Sequence, residues 1–453
     1  MSTYCIVGRM KIVPIEGAKT LQLGYFGGLP YAIDKTITED SLVAIFLPDG
    51  QLSKEYYEAN KENLTFFGKN LKVRSIKLMS GKITSVGFVT NLESLAFTGY
   101  DISQLKEGDT FNELNGIPVC RKFISKETRH QMRLQNKLNK APKIEIVGLP
   151  QHPDTEQFYK FASTLEAGDL ITITLKLDGT SVRVANAYVE EELKWYEKFY
   201  NNLMSVFGYE TIKKITNKVY TGTRRVVIEQ TTGKGYYGTH DMYLEVAKKL
   251  DGLLYPGEAI YGEIVGWQNE DKPLFTRGGM SFLYGTKPGE RDFYVYNIKW
   301  TLSNGQSIDL SWNKIKQRCL ELELKYVPEI KINDLQDYHE REDISQVSPN
   351  LYSFFTEENG EYWMVLAPFG TFVYDGGMRN LENLVYSFVD GLDPIDPSHI
   401  REGVVLRVEK SNGSVQFFKA KSSVFYALES KSKEAGELDI EEVNSENGET
   451  NIY

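Results

Sequence analysis

The stretch Leu170–Val184, LITITLKLDGTSVRV, sets the fold class and the chemistry together. Ile171, Ile173, Leu175 and Leu177 alternate with Thr172, Thr174, Lys176 and Asp178, the two-residue period of a strand with one buried face. Lys176 therefore stands on the polar face, where packing gives it no role. Gly179, Thr180 and Ser181 follow at once, small residues that let the chain bend and let phosphate groups approach the backbone. A lysine in that setting is a candidate nucleophile.

Outward from this strand, further strand signals fall at 222–229, 258–265, 292–299, 403–409 and 414–420, and helical periodicity at 189–207, 241–254 and 311–324. Such a mixture predicts an α+β domain over residues 144–429. Ahead of it, YCIVGRMKIVPI, LQLGYFGGLPYAI, SLVAIFLPDG and LKVRSIKLMSGKITSVGFVTNL read as short strands punctuated by turns. Five or so strands at that spacing predict a small, OB-like β-barrel over residues 1–120. Residues 121–143 carry Arg121, Lys122, Lys126, Arg129, Arg133, Lys137, Lys140 and Lys143 against one acid, Glu127, and are expected to be a basic linker. Residues 430–453 hold Lys431 and Lys433 against seven carboxylates and are expected to be an acidic, disordered tail.

Half of the formal net charge of −10 thus sits in the tail. The basic stretch can still bind phosphates, because a screened field is felt over only about 8–10 Å. A chain that is 41% hydrophobic, with Tyr 28 and Phe 23, is globular and rich in β-structure rather than disordered. Cys5, Cys120 and Cys319 are scattered and form no CxxC, which argues for a reducing compartment and against disulfides or a zinc ribbon. No apolar run reaches the roughly 18 residues that span a bilayer, and no basic-then-apolar leader opens the chain. A soluble, cytoplasmic monomer without a membrane partner is expected.

Other stretches share chemistry with Lys176. YTGTRRVVI places Arg224 beside Arg225 at the start of a strand. AIYGEIVGW puts one carboxylate, Glu263, inside an apolar run, where it costs several kcal/mol unless paired or metal-bound. DFYVYNIKW alternates rings with aliphatics and can offer a ring to a base. REGVVLRVEKSNGSVQFFKAKSS reads as a hairpin turned at Asn412-Gly413. A two-residue turn would set Val404 opposite Lys421 and Leu406 opposite Lys419, leaving Glu402 with Lys419 and Lys421 on one face.

In this order the stretches resemble the covalent nucleotidyltransferase superfamily of polynucleotide ligases and mRNA-capping guanylyltransferases. KLDGTS is similar to its KxDG signature, GTRRV to its arginine motif, YGEIVG to its third motif, DFYVYNI to the aromatic strand that follows, EGVVLRV to its fourth and FKAK to its fifth. VRSIKLMSGKITSVGFVTNL and GDTFNELNGIPV resemble the OB domain that precedes the catalytic domain in one RNA ligase family, the fifth group. DNA ligases and capping enzymes carry an OB domain after the fifth motif, and only about 30 residues follow Lys421 here.

The resemblance implies an ATP-grasp-like ligase domain of antiparallel sheets flanked by helices. It implies an ATP-dependent RNA ligase that works in RNA repair, joining RNA with 3′-OH and 5′-phosphate ends through a lysyl-AMP on Lys176 and an adenylylated 5′ end. It also implies Mg²⁺ or Mn²⁺ held by Glu263 and Glu402, and phosphate contacts from Lys419 and Lys421. Asp178, Gly179, Ser181, Arg183, Arg224 and Arg407 complete the expected nucleotide contacts, and adenine lies between Tyr296 and Val405, with Phe293 as the alternative ring. Where the family has a glutamate at the shoulder of the lysine, this chain has Thr174 and Leu175, and parity puts Thr174 on the Lys176 face. Strict alternation leaves Arg407 on the face opposite Glu402. The competing readings are a capping-type guanylyltransferase and a non-catalytic nucleic-acid-binding module on the same scaffold.

Overall fold

The computed structural model describes residues 3–130, 146–330 and 371–435, apart from breaks at 16, 79–82, 147, 152–154, 162–163, 192, 208, 210–213, 225–226, 229–241 and 375. Most of the basic stretch, including Arg133, Lys137, Lys140 and Lys143, therefore lies outside the described residues, as do 331–370 and the acidic end beyond 435.

The N-terminal region is built of short strands, as expected, but they pair as separate small sheets. Thr110–Phe111, Cys5–Gly8, Val43–Phe46 and Phe88–Asn91 form a four-stranded sheet, and Lys11–Val13, Leu21–Phe26 and Leu29–Asp34 a three-stranded one. No closed barrel is present among the described residues, because strands of two to six residues leave each sheet too short to wrap round. Cys120–Lys122 pairs with Gly50–Leu52, so the first residues of the expected linker belong to this region. The tip of the 21–34 hairpin, Gly27-Gly28, has φ of +54° and +70° and is pressed against the second domain. A Cβ on either glycine would lie 2.2 Å from Tyr159 or Tyr386, so no other residue fits at this junction.

The second region contains eight strands that matter for the site: β1 (Leu170–Lys176), β2 (Thr180–Glu190), β3 (Ile215–Gly222), β4 (Glu258–Gly266), β5 (Arg291–Thr301), β6 (Thr371–Val373), β7 (Gly403–Glu409) and β8 (Val415–Lys421). Its longer helices among the described residues are α1 (Trp195–Val206), α2 (Met242–Leu250), α3 (Trp312–Glu321), α4 (Met378–Ser387) and α5 (Ser423–Ala435). One sheet has the order Glu156–Gln157, β8, β7, β1, β6; the other runs Val227–Ile228, β3, β2, β4, β5, Ser307–Asp309. All labelled strands pair antiparallel.

The apolar alternates of each sheet make one core. Ile171, Ile173, Leu175, Val404 and Leu406 from the first, and Val182, Val184, Ile260 and Ile264 from the second, are each at most 2% exposed. They pack with Met242, Tyr243 and Leu250 of α2 and Trp312, Ile315 and Cys319 of α3. At about 25 cal/mol per Å² this burial is what fixes the two sheets, and the polar alternates are left to face each other.

Three boundaries differ from the sequence reading. The strand expected at 222–229 is two strands, Ile215–Gly222 and Val227–Ile228, since Arg183 draws the Thr223 carbonyl out of the ladder with a 2.8 Å bond from Nε. The helix expected from 189 starts at Trp195 because β2 runs to Glu190. The expected tail boundary at 430 falls inside α5, where Ser432 is 1% exposed and Lys433 is ion-paired. No helix among the described residues is long and apolar enough to cross a membrane.

Candidate active site

The polar faces of the two sheets flank a cleft of about 130 Å³ that is open to solvent and lined from both sides. The first sheet contributes Thr174, Lys176, Val405, Arg407 and Phe417; the second contributes Ser181, Glu263 and Tyr296; Arg224 and Trp312 close it. Register explains the first wall. Thr174 is opposite Val405, Thr172 opposite Arg407 and Lys176 opposite Gly403. Across the hairpin, Val405 is opposite Lys419, Gly403 opposite Lys421 and Arg407 opposite Phe417.

This register is one residue away from the sequence reading. Lys410 and Ser414 close a three-residue loop, the Lys410 N–H donating to the Ser414 carbonyl at 2.9 Å, with Gly413 at φ +83°. That is the bulged three-residue hairpin rather than the two-residue turn. The shift puts Arg407 on the face that carries Lys419 and Lys421. Glu402 lies outside the alternation: the chain turns at Gly403, φ +149°, where a Cβ would be 2.1 Å from the Ala420 carbonyl oxygen.

The turn brings Glu402, 2% exposed, beneath the nucleophile candidate. Lys176 Nζ donates to Glu402 Oε2 at 2.9 Å, and Lys421 Nζ is 3.2 Å from Oε1. Lys419 stands beside them with no hydrogen bond or ion pair to its ammonium among the described residues. Burial, reinforced by Lys421, Lys176 and Arg224 and opposed by Glu402, brings its pKa down to about 7. Lys176, Lys419, Lys421 and Arg224 outnumber the buried carboxylates Glu402 and Glu429 that face them, and the excess of positive charge makes an anion site.

The second wall has its own local cause. Ser181 is opposite Glu263. Between β4 and β5 the register shifts, Tyr261 pairing with Asn297 and Gly262 with Val295, so Tyr296 is the extra residue of a bulge. The bulge turns its ring into the cleft, where its hydroxyl is 2.8 Å from Ser181 Oγ. Phe293, the alternative ring, covers Gly262 instead, its Cε2 within 2.4 Å of where a Cβ would be.

Three expected contacts are turned away from the cleft, and a fourth lines it with its donors already engaged. Asp178 is 7% exposed and accepts two 3.0 Å bonds from the Arg277 guanidinium, while its N–H donates to the Tyr284 hydroxyl at 2.6 Å. Burial pushes its carboxyl up, and Arg277 opposes that. Gly179 faces β4: a Cβ would be 2.4 Å from the Ile264 carbonyl oxygen, so the strand and not a ligand requires glycine. Arg183, 3% exposed, donates to the carbonyls of Thr223 and Leu149, each at 2.8 Å, and so fixes the segment that carries Arg224. Arg407 lines the cleft but spends its donors on Glu409 (3.0 Å), Asn297 (2.8 Å) and the Leu310 carbonyl, tying the two sheets together. Arg277 was invisible in the sequence; it stands before Gly278-Gly279 in a small hairpin, with nothing around it that signals a carboxylate partner.

A divalent cation fits this donor set only in one manner. Among the described residues no three His, Cys, Asp or Glu side chains converge. Magnesium, however, commonly uses one or two carboxylates, several waters and the phosphates of a substrate. Glu263 in the cleft wall and Glu402 beneath Lys176, whose two oxygens face Lys176 and Lys421, are the carboxylates that would hold a cation in that arrangement.

Comparison with known proteins agrees with the geometry. The sequence profile described as RNA ligase matches residues 169–421, more than half of the chain. No curated protein sequence matches it. The fold is similar to that of an RNA ligase of Naegleria gruberi solved with PPi, at a TM-score of 0.53 and 15% identity over 94% of this chain and 98% of that one. A lysine-to-alanine variant of that ligase solved with ATP and Mn matches at 0.53 and 14%, over 93% and 98%, and a glutamate-to-alanine variant with AMP and Mn at 0.53 and 15%, over 94% and 98%. On the profile match across the region that builds both walls of the cleft, the chain belongs to the RNA ligase family.

Proposed function

We propose that this ligase seals RNA carrying 3′-OH and 5′-phosphate ends by three nucleotidyl transfers in the cleft between the sheets, with ATP as the nucleotide donor. The observation that supports it most directly is the cluster of Lys176 and Lys421 on the buried carboxylate Glu402, with Lys419 beside them and Arg224 close enough to act on Lys419. In the first transfer Lys176 Nζ forms a bond to the α-phosphorus of ATP, the bond to pyrophosphate breaks and pyrophosphate leaves, and Nζ gives up two of the three ammonium protons, leaving a phosphoramidate with an uncharged nitrogen and one negative charge on its phosphoryl oxygens. The AMP then passes to the 5′-phosphate, and a 3′-hydroxyl displaces it. An unperturbed lysine is neutral in only roughly one molecule in a few thousand at pH 7, so deprotonation needs help. The Lys419 and Lys421 ammonium groups offset charge on the phosphate as it transfers. Glu263 and Glu402 would hold Mg²⁺ or Mn²⁺, which when bound supplies further charge neutralisation at the phosphates.

Tyr296 and Val405, on opposite walls, are the pair we assign to the faces of the adenine, and Thr174 is the side chain beside the nucleophile that meets its edge. The basic stretch from Arg121 to Lys143 is read as part of the RNA path on its charge alone, and the N-terminal strands keep the OB-like reading on number and spacing.

Incubation with α-labelled ATP and a divalent cation, followed by denaturing electrophoresis, tests the assignment. Covalent label from ATP that disappears in Lys176→Ala is the expected result. Label from GTP alone would favour the guanylyltransferase reading, and no label from either would favour the binding module.

A further inference from the structure

The charges around Glu402 do not stop at the cleft. Lys421 Nζ lies 3.3 Å from Glu429 Oε2 on α5, as well as 3.2 Å from Glu402. Glu429 is in turn 3.7 Å from Lys433 Nζ, one turn further along α5, and Lys433 donates to Asp49 Oδ1 of the N-terminal region at 3.0 Å. The same helix reaches the nucleophile loop by a second route. Ser432 Oγ accepts a 2.7 Å bond from the Gly278 N–H, beside Arg277, which holds Asp178 two residues beyond Lys176. These groups are nearly all buried: the side chains of Glu429, Lys421 and Lys433 are 10, 14 and 10% exposed. Buried ion pairs of this kind are strongly destabilised when one member is removed, and they impose one geometry.

We propose that Glu429 is a positioning residue that holds the Lys421 ammonium over the cleft, and that the Lys433–Asp49 pair makes the N-terminal region a part of that hold. Glu402 alone cannot do this, because it is shared with Lys176 and must yield as Lys176 loses its charge and bonds to phosphorus. At that moment Glu429, anchored from behind by Lys433, keeps Lys421 from following. The neighbouring side chains do not substitute for it: Phe425 and Tyr426 present rings to Lys421 at 5.1 and 5.7 Å, and Lys419 repels it.

The inference rests on the lysyl-nucleotide reading, which labelling of the wild-type chain tests separately. The experiment is single-turnover labelling of the full-length protein with α-labelled ATP at saturating and half-saturating nucleotide, with the thermal midpoint measured alongside. Glu429→Gln is expected to lower the maximal rate at least tenfold while the half-saturating ATP concentration moves less than twofold. Asp49→Asn, at the far end, is expected to lower it about threefold to tenfold, and to add nothing in the Glu429→Gln background, because its effect passes through Glu429. A maximal rate unchanged in Glu429→Gln, or losses that multiply in the double variant, would overturn the proposal. Should Glu429→Gln fail to fold, Asp49→Asn decides alone, an unchanged maximal rate counting against it.

Discussion

The two walls of the cleft are made of the same material and reach opposite ends. Both are antiparallel strands with apolar residues behind and polar ones in front. The β1–β7–β8 wall nevertheless collects cations, while the β2–β4–β5 wall offers a hydroxyl, a carboxylate and a ring. The first wall obtains its charge from plain alternation: Lys176, Lys419 and Lys421 are successive front positions in one register. The second obtains its ring from a break in alternation, the bulge at Tyr296. The difference teaches that the cationic wall, proposed to take the phosphates, rests on the regular pleat and is hard to move, while the wall proposed to take the base rests on one irregularity and is easy to retune.

The largest effect should come from the cationic wall. Lys419→Met is expected to slow labelling by about 10²- to 10³-fold, the scale for removing a preorganised charge from a transferring phosphoryl group. The same change should stabilise the protein at neutral pH. The folded-state pKa of Lys419 is depressed to about 7, so between pH 7 and about 10 the unfolded chain binds the extra proton and wild-type stability rises with pH. The gain from Lys419→Met, on the order of a few kcal/mol at pH 7 and below, should shrink towards pH 10. Denaturant midpoints at the two pH values check this, and a variant less stable than wild type at pH 7 would break the picture of an uncompensated buried ammonium.

On the other wall, Glu263→Gln is expected to cost about 10²-fold in labelling and to raise the cation concentration needed for half-maximal rate. A metal titration of the labelling rate reads both, and an unchanged titration would move the metal assignment away from this wall. Tyr296→Ala should weaken ATP binding by about 1–3 kcal/mol, a stacked ring's worth, while Tyr296→Phe keeps the ring, loses the bond to Ser181 and should cost about 1 kcal/mol. Equal effects of the two changes would mean that the hydroxyl and not the ring matters. The smallest effect on chemistry should be that of Gly179→Ala. It acts through the carbonyl of Ile264 and is expected to lower stability by about 1–3 kcal/mol without changing ATP dependence in the folded fraction.

What the sequence made legible follows the same division. The period of Leu170–Lys176 located the front face of β1, and the order of the motif stretches brought Lys176, Ser181, Arg224, Glu263, Tyr296, Val405 and Arg407 into one cleft. Strand periodicity is local, so it survives reading one residue at a time. The hairpin register did not survive, because Asn412-Gly413 serves a two-residue or a three-residue loop equally well and only the closing pair Lys410–Ser414 decides. Asp178 and Arg183 stood on polar alternates, yet they turned to Arg277 and to backbone carbonyls, partners that no spacing rule predicts. Arg277, Glu429, Lys433 and Asp49 were missed for that reason: their meaning lies in pairs far apart in the chain. The N-terminal strands were legible but their closure was not: among the described residues strands of two to six residues pair as separate small sheets, and strand length is a quantity that turn signals mark poorly.

The Lys433–Asp49 pair also bears on how the molecule comes into being. Its members are separated by 384 positions, among the longest separations a contact in this chain can have. Asp49 leaves the ribosome early and waits for nearly the whole catalytic domain to be made before its partner emerges. Until then every side chain that lines the cleft can be in place while Lys421 lacks its second carboxylate. The α5 helix is therefore the last element of the proposed hold on Lys421 to be synthesised, and the contact that completes it is non-local.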